Sequence, residues 1–173
     1  MLLAVVDSVM TILTTEKKQI LHSSQMELDE ADLKILHELQ RDARISFKTI
    51  AQKIGVSEAT VFVRVRKMQE GGVIRGYSAI VDPKAVGKSL TAIVLVRATP
   101  KAFPGTLEAL RKFDEVYEIY DVTGEYYSIL KIRTSGTEAL GKIIDEVGKI
   151  DGIAGTETII VLRTVKEDFA VLL

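Results

Sequence analysis

The stretch that most constrains the fold is IAQKIGVSEATVFVRVRKM, residues 50–68. It reads as two helical segments meeting at Gly55-Val56-Ser57, with room between them only for a tight turn. A left-handed backbone is cheap for glycine, which lacks a Cβ, so Gly55 is where the first segment stops. Ser57 supplies a side-chain cap for the second. Ala51 is small where the two helices must cross, and the spacing Ala51, Gly55, Val61 is that of a helix-turn-helix. On the second helix Val61, Val65 and Met68 follow i, i+4, i+7 and face inward. Ala59, Phe62, Val63 and Arg66 then lie on the opposite side, with Lys67 nearby and Arg64 at the border. Such a face suits a DNA major groove, where apolar groups meet thymine methyls and cations meet guanine edges or phosphates.

Charge sharpens that reading. The 173-residue chain has a formal net charge of -1. Residues 41–76 nevertheless hold eight cations (Arg41, Arg44, Lys48, Lys53, Arg64, Arg66, Lys67, Arg75) against the anions Asp42, Glu58 and Glu70, a net of +5. Residues 89–173 carry a net of -3. A basic patch on a near-neutral chain is the footprint expected of a phosphate-binding surface, although a charge cluster alone is more often a solvated face. Ser57, Glu58, Thr60, Val63 and Arg64 stand near the helix start and are the candidate base readers. Arg44, Lys48, Arg66, Lys67 and Arg75 are the candidate phosphate contacts.

Upstream, LDEADLKILHELQRD predicts a helix over 28–42, with Asp29 as N-cap and Asp32 at the third helical position. ISFKTIAQKIG adds a helix capped by Ser46, and the reading helix covers 57–71. VIRGYSAIVDP alternates as a short strand pair or wing up to Pro83. The apolar opening MLLAVVDSVMTIL is too short to span a membrane and lacks the cationic start and cleavage site of a signal peptide. Residues 1–25 are an extension upstream of Met26, expected to form a helix that docks on a partner subunit.

From residue 90 the order changes to strand (90–99), helix (103–113, with Phe103, Leu107, Leu110 and Phe113 on one stripe), a strand hairpin (116–122 and 126–134), helix (137–150) and strand (155–165). That is the βαββαβ ferredoxin-like order. Two helices cover only one face of such a sheet, and AIVLV in the first strand is apolar on both faces, so the second face is expected to be buried against another copy of the chain. The three prolines, Pro83, Pro100 and Pro104, fall at junctions. The predicted class is α+β: a winged helix-turn-helix over 26–82, a hinge over 83–90, and a ferredoxin-like effector and oligomerisation domain over 91–173.

The chemistry excluded is broad. With no cysteine and only His22 and His37, thiolate and multi-histidine metal sites are absent, and His37 reads as a packed or half-exposed helix residue. No phosphate loop or nucleophile-base pair supports an enzyme, although Asp121, Glu125 and Tyr126 could pose as acids or bases. No catalytic residue, cofactor or membrane association is expected, and the location expected is cytoplasmic.

The segment from Leu28 to Gly87 resembles the amino-terminal domain of the Lrp/AsnC regulators. The resemblance is carried by Leu28-Asp29, Asp32, Ile35-Leu36, Asp42-Ala43-Arg44, Ile50-Ala51, Gly55, Ser57, Thr60-Val61, Arg64, Gly72-Val73-Ile74, Gly76-Tyr77 and Pro83. Val122-Thr123-Gly124 and Gly155-Thr156-Glu157-Thr158 extend it into that family's effector domain, so that it spans about residues 26–168 and leaves 1–25 outside. It implies a homodimeric transcription regulator of double-stranded DNA, assembling further into octamers, with an amino-acid effector bound near the contact between dimers. An amino-acid zwitterion needs acceptors for its ammonium and donors for its carboxylate. Gly124, Glu125, Tyr126 and Tyr127 in the hairpin, with Thr156 and Thr158 on the last strand, are the candidate effector residues; Gly124 alone could equally do no more than shape the turn. Where the family usually has Gly-x-x-Asp-Tyr, this chain has Gly124-Glu125-Tyr126-Tyr127-Ser128, which places a phenol at the acidic position and suggests glutamine as effector. A weakly specific, DNA-compacting architectural role is the alternative.

Overall fold

The computed structural model describes residues 26–99 and 103–173; the expected helix within residues 1–25, the junction at Pro100, and the side chains of Phe103 and Pro104 lie outside what it describes. Residues 26–78 together with Asp168–Leu173 form one compact unit, and Ala79–Glu167 form another.

The first unit is built on α1 (Glu30–Arg41), α2 (Phe47–Ile54) and α3 (Glu58–Glu70). Each helix begins where a side chain takes up an orphan amide. The Asp29 carboxylate accepts from the Asp32 amide at 2.9 Å, and the Asp32 carboxylate accepts from the Asp29 amide at 3.2 Å, closing a capping box on α1. Ser46 Oγ accepts from the Thr49 amide at 3.1 Å, and Ser57 Oγ from the Thr60 amide at 3.0 Å. Gly55 ends α2 at φ 76°, ψ 34°, in the left-handed region. Ile35, Leu36 and Leu39 of α1, Ile50 and Ala51 of α2, and Val61, Val65 and Met68 of α3 form one buried cluster. Helices this short are marginal alone, and this shared core is what holds them.

The expected wing does not form: among the described residues no strand lies between α3 and Leu90. The Val73 and Ile74 amides both donate to the Met68 carbonyl, at 2.9 and 3.1 Å, which turns the chain back onto the helical core rather than out into a ladder. Ile80 and Val81 stay exposed, without a strand edge to pair with. Pro83 then opens a 3-10 turn over Lys84–Val86.

The second unit contains β1 (Leu90–Ala98), α4 (Phe103–Leu110), β2 (Val116–Asp121), β3 (Ser128–Thr134), α5 (Thr137–Gly148) and β4 (Ile153–Ile160). The antiparallel sheet runs β2-β3-β1-β4, as the ferredoxin-like order requires. β4 stops earlier than its apolar pattern suggests. The Val161 amide still reaches the Thr91 carbonyl at 2.9 Å, but β1 has run out of partners beyond that point.

Ala92, Val94 and Val96 of β1 and Leu130 and Ile132 of β3 pack with Leu110 of α4 and with Leu140, Ile143 and Val147 of α5. The alternate residues face the other way: Ile93 and Leu95 on β1, Ile129, Lys131 and Arg133 on β3, and Glu157 and Ile159 on β4. This second face mixes aliphatic and charged side chains. Glu167, beyond the last strand, binds both Lys131 and Arg133, and Lys131 also meets Glu118 at 3.2 Å. Arg133 in addition lies 5.2 Å from the Tyr117 ring centroid.

Candidate nucleic-acid interface

α3 presents the face the wheel anticipates. Val61, Val65 and Met68 are buried, while Phe62 and Val63 are 52% and 62% exposed. Phe62 is not bare, because its ring meets Phe47 of α2 edge-on with centroids 6.3 Å apart. Val63 lines an open depression of about 560 Å³ together with Ala59, Thr60, Arg64 and Lys67, and with Glu27, Asp29 and Asp32 on the opposite wall. Ser57 and Thr60 share a hydroxyl-hydroxyl hydrogen bond of 2.8 Å besides the cap, so the two hydroxyls act as one polar unit at the helix start. Glu58 is exposed in the first turn, where a carboxylate suits the positive end of the helix.

The cations separate into three groups. Arg41, Arg44, Lys48, Lys67 and Arg75 are exposed and form no ion pair with a described residue. Arg66 pairs with Glu70 at 2.8 Å along the solvent side of α3, and Lys53 pairs with Glu38. Arg64 is different again: its Nη1 donates to Asp32 at 2.9 Å and to Asp29 at 2.7 Å. The Asp32 and Asp29 carboxylates raise the Arg64 pKa above its ordinary value. The Asp29 carboxyl is held below its usual value, first by the Asp32 amide and then by Arg64. The sequence offers no local signal for this cluster, since the partners lie 35 and 32 positions apart.

The structure brings only part of the effector set together. The Tyr126 hydroxyl donates to Glu157 at 2.5 Å, Arg97 pairs with Glu125 at 3.2 Å, and the Arg97 guanidinium lies 5.6 Å from the Tyr126 ring centroid. The hydrogen bond to Glu157 raises the Tyr126 phenol above its ordinary pKa. Gly124 shapes this hairpin at φ 118°, in a region side chains rarely adopt. Tyr127 is buried, at 7% exposure, and its amide donates to the Val96 carbonyl at 2.7 Å. By register Thr156 and Thr158 sit beside Val96 and Val94, on the helix-covered face and away from Glu157. Arg97 and Glu157 complete the cluster; Glu157 lies within the Gly155–Thr158 motif, but neither stands among the candidate effector residues, because only the β1–β4 register brings them to one face.

Comparison with known proteins gives two domain matches. Residues 28–69 match the AsnC-type helix-turn-helix domain, and residues 91–171 match the Lrp/AsnC ligand binding domain. The HTH-type transcriptional regulator FL11 of Pyrococcus horikoshii is 41% identical over 140 residues, covering 81% of this chain and 93% of that protein. The HTH-type transcriptional regulator Ptr1 of Methanocaldococcus jannaschii is 38% identical over 141 residues, covering 81% and 95%. Among solved structures, E. coli AsnC superposes with a TM-score of 0.79 at 34% identity, covering 83% of this chain and 98% of that one.

Proposed function

The chain belongs to the Lrp/AsnC family of DNA-binding transcriptional regulators with a ligand-binding domain, and from that premise we propose that it reads a specific operator through α3 and is switched by an amino acid. The observation that carries the reading is that the candidate phosphate contacts Arg44, Lys48, Lys67 and Arg75 are exposed and, like Arg41, without an ion-pair partner among the described residues of the helical unit. Unpaired cations on the DNA side release counterions when they meet phosphates, which drives association. Ser57, Glu58, Thr60 and Val63 are the proposed base readers. Arg66, paired with Glu70 in the free chain, joins the phosphate contacts when DNA competes for it. The division proposed is a reader over 26–82, a hinge over 83–90 and an effector domain over 91–173.

The open sheet face supports a homodimer. Ile93, Leu95, Ile129 and Ile159 supply apolar area, and a sheet face of this kind is most economically covered by a second copy. Assembly of dimers into octamers in the cytoplasm follows the family pattern. Two subunits would then read half-sites one helical turn apart, or a multiple of it.

For the effector, Arg97 offers cationic donors for a carboxylate, while Glu125 and Glu157 offer acceptors for an ammonium. Because Tyr127 is buried, the phenol available to a side-chain amide is that of Tyr126. Glutamine is the first ligand to test. Isothermal titration against the common amino acids should give one binder; binding by none removes the effector proposal. Fluorescence anisotropy on the protein's own promoter fragment and on a scrambled duplex should show tight, pool-sensitive promoter binding and weak scrambled binding. Equal binding to both, untouched by amino acids, would instead favour a DNA-compacting role.

A further inference from the structure

We propose that Arg64 is a positioning residue, not a DNA contact: with Asp29 and Asp32 it ties the reading helix to the capped start of α1. The inference rests on the DNA-reading role of α3 and deepens it.

The geometry is closed. Asp29 spends one carboxylate oxygen on the Asp32 amide, at 2.9 Å, and the other on Arg64, at 2.7 Å. Asp32 likewise spends one on the Asp29 amide, at 3.2 Å, and the other on Arg64, at 2.9 Å. All four carboxylate oxygens are therefore used, and both salt-bridging bonds come from the same Nη1. The capping box that starts α1 and the clamp on α3 are one hydrogen-bonded unit. Loss of the arginine would leave Asp32, only 5% exposed, without its cation, which is costly for a buried carboxylate.

Electrostatics point the same way. One cation between two carboxylates carries a local charge of about -1, which repels a phosphate instead of attracting it. Lys67, one turn further along α3 and lining the same depression, has no such neutralising pair. The helix that must enter a groove is thus fixed from its side by the clamp, while its unpaired cation remains free for DNA. Fixing a reading element within a fraction of an ångström is what preserves direct readout.

The test uses the full chain and four variants: Arg64→Gln, Asp29→Asn, Asp32→Asn and the Arg64→Gln/Asp29→Asn double. Binding to the promoter fragment and the scrambled duplex is followed by anisotropy over a salt series. Positioning predicts that Arg64→Gln and Asp32→Asn each reduce the promoter-to-scrambled ratio by about 5- to 150-fold, the discrimination of one base pair. Asp29→Asn should fall in the same direction, the double should be no worse than the worse single, and the salt slope should stay as in the unaltered protein. A slope lower by about 0.9 per bound chain in Arg64→Gln would mean a phosphate contact and overturn the proposal. So would a ratio lost in Arg64→Gln but kept in both aspartate variants, which would make Arg64 a base reader. A ratio unchanged in every variant would make the cluster merely structural, and that also overturns it. Asp29 is more than half exposed, so Asp29→Asn decides the matter with Arg64→Gln if Asp32→Asn fails to fold. Should the unaltered protein show no promoter preference, the reading of α3 fails, and with it a positioning role in recognition. Carbon NMR of the Asp29 carboxyl then still reports whether the clamp exists: its midpoint rises in Arg64→Gln if the clamp forms in solution, and stays put if it does not.

Discussion

Lys67→Ala offers the sharpest test of the DNA surface, because the structure divides the cations before any binding is measured. Lys67 is exposed on α3 and unpaired, whereas Lys53 is equally cationic but bound to Glu38. Each phosphate neutralised adds about -0.9 to the slope of log affinity against log salt. Between about 50 and 200 mM salt, one contact is therefore worth about 3.5-fold in affinity, and four contacts per chain about 150-fold. Lys67→Ala should weaken promoter and scrambled duplexes alike and take about 0.9 from the slope per bound chain. Lys53→Ala should leave the slope unchanged, since Glu38, only 16% exposed, holds the cation it removes, unlike the open Arg66–Glu70 pair, both members more than 60% exposed, which a phosphate can displace. Anisotropy titrations at five or so salt concentrations would read both slopes. If Lys53→Ala lowers the slope as much as Lys67→Ala, pairing in the free protein does not select the contacts and the reasoning fails. A change of sequence preference in Lys67→Ala at constant slope would equally sink its assignment to phosphate.

Three further outcomes follow from local geometry. Gly55→Ala meets no atom within 4 Å, so its whole cost is the left-handed backbone, about 1–2 kcal/mol; urea unfolding followed by circular dichroism should show it, and an unchanged midpoint would mean the turn relaxes. Leu130→Ala opens the centre of the sheet core at a fully buried position and should cost about 2–5 kcal/mol in the same experiment, with a loss under about 1 kcal/mol contradicting the packing described. The Asp29 carboxyl is depressed, first by the Asp32 amide and then by Arg64, so it adds stability above its unfolded pKa and loses it as pH falls through the folded value. NMR titration should place its midpoint below the ordinary 3.8, and a midpoint at or above that would contradict the cap.

What could be read in advance follows from how far each interaction reaches along the chain. The caps at Asp29, Ser46 and Ser57 act on amides three residues away, and Gly55 acts on its own backbone, so the helical unit is legible from neighbours alone. The sheet order is legible because strand and helix periods alternate clearly from β1 to β4. The wing failed because VIRGYSAIVDP has the alternation of a strand but no edge within the described chain to pair with, and its first amides already serve Met68. The candidate effector surface was only half legible. Glu125 and Tyr126 are adjacent in the hairpin, but Arg97 and Glu157 join them through register, and Tyr127 is drawn inward by the same strand alternation. Arg64 was visible as a cation and not as a clamp, since its aspartates belong to the start of another helix.

The Ser57–Thr60 unit has an evolutionary consequence. Ser57 caps α3 and is also one of the proposed base readers. A residue that drifts at this position must still accept the Thr60 amide, which favours serine, threonine, aspartate and asparagine and penalises most others by about 1 kcal/mol. Those four do not read the same edges: asparagine prefers adenine, aspartate accepts from cytosine, and the hydroxyls suit either. Selection for folding alone therefore leaves a small alphabet that still spans different recognition preferences. A library at position 57 sorted only for stability should return these four residues, and its survivors should diverge in the operators they favour.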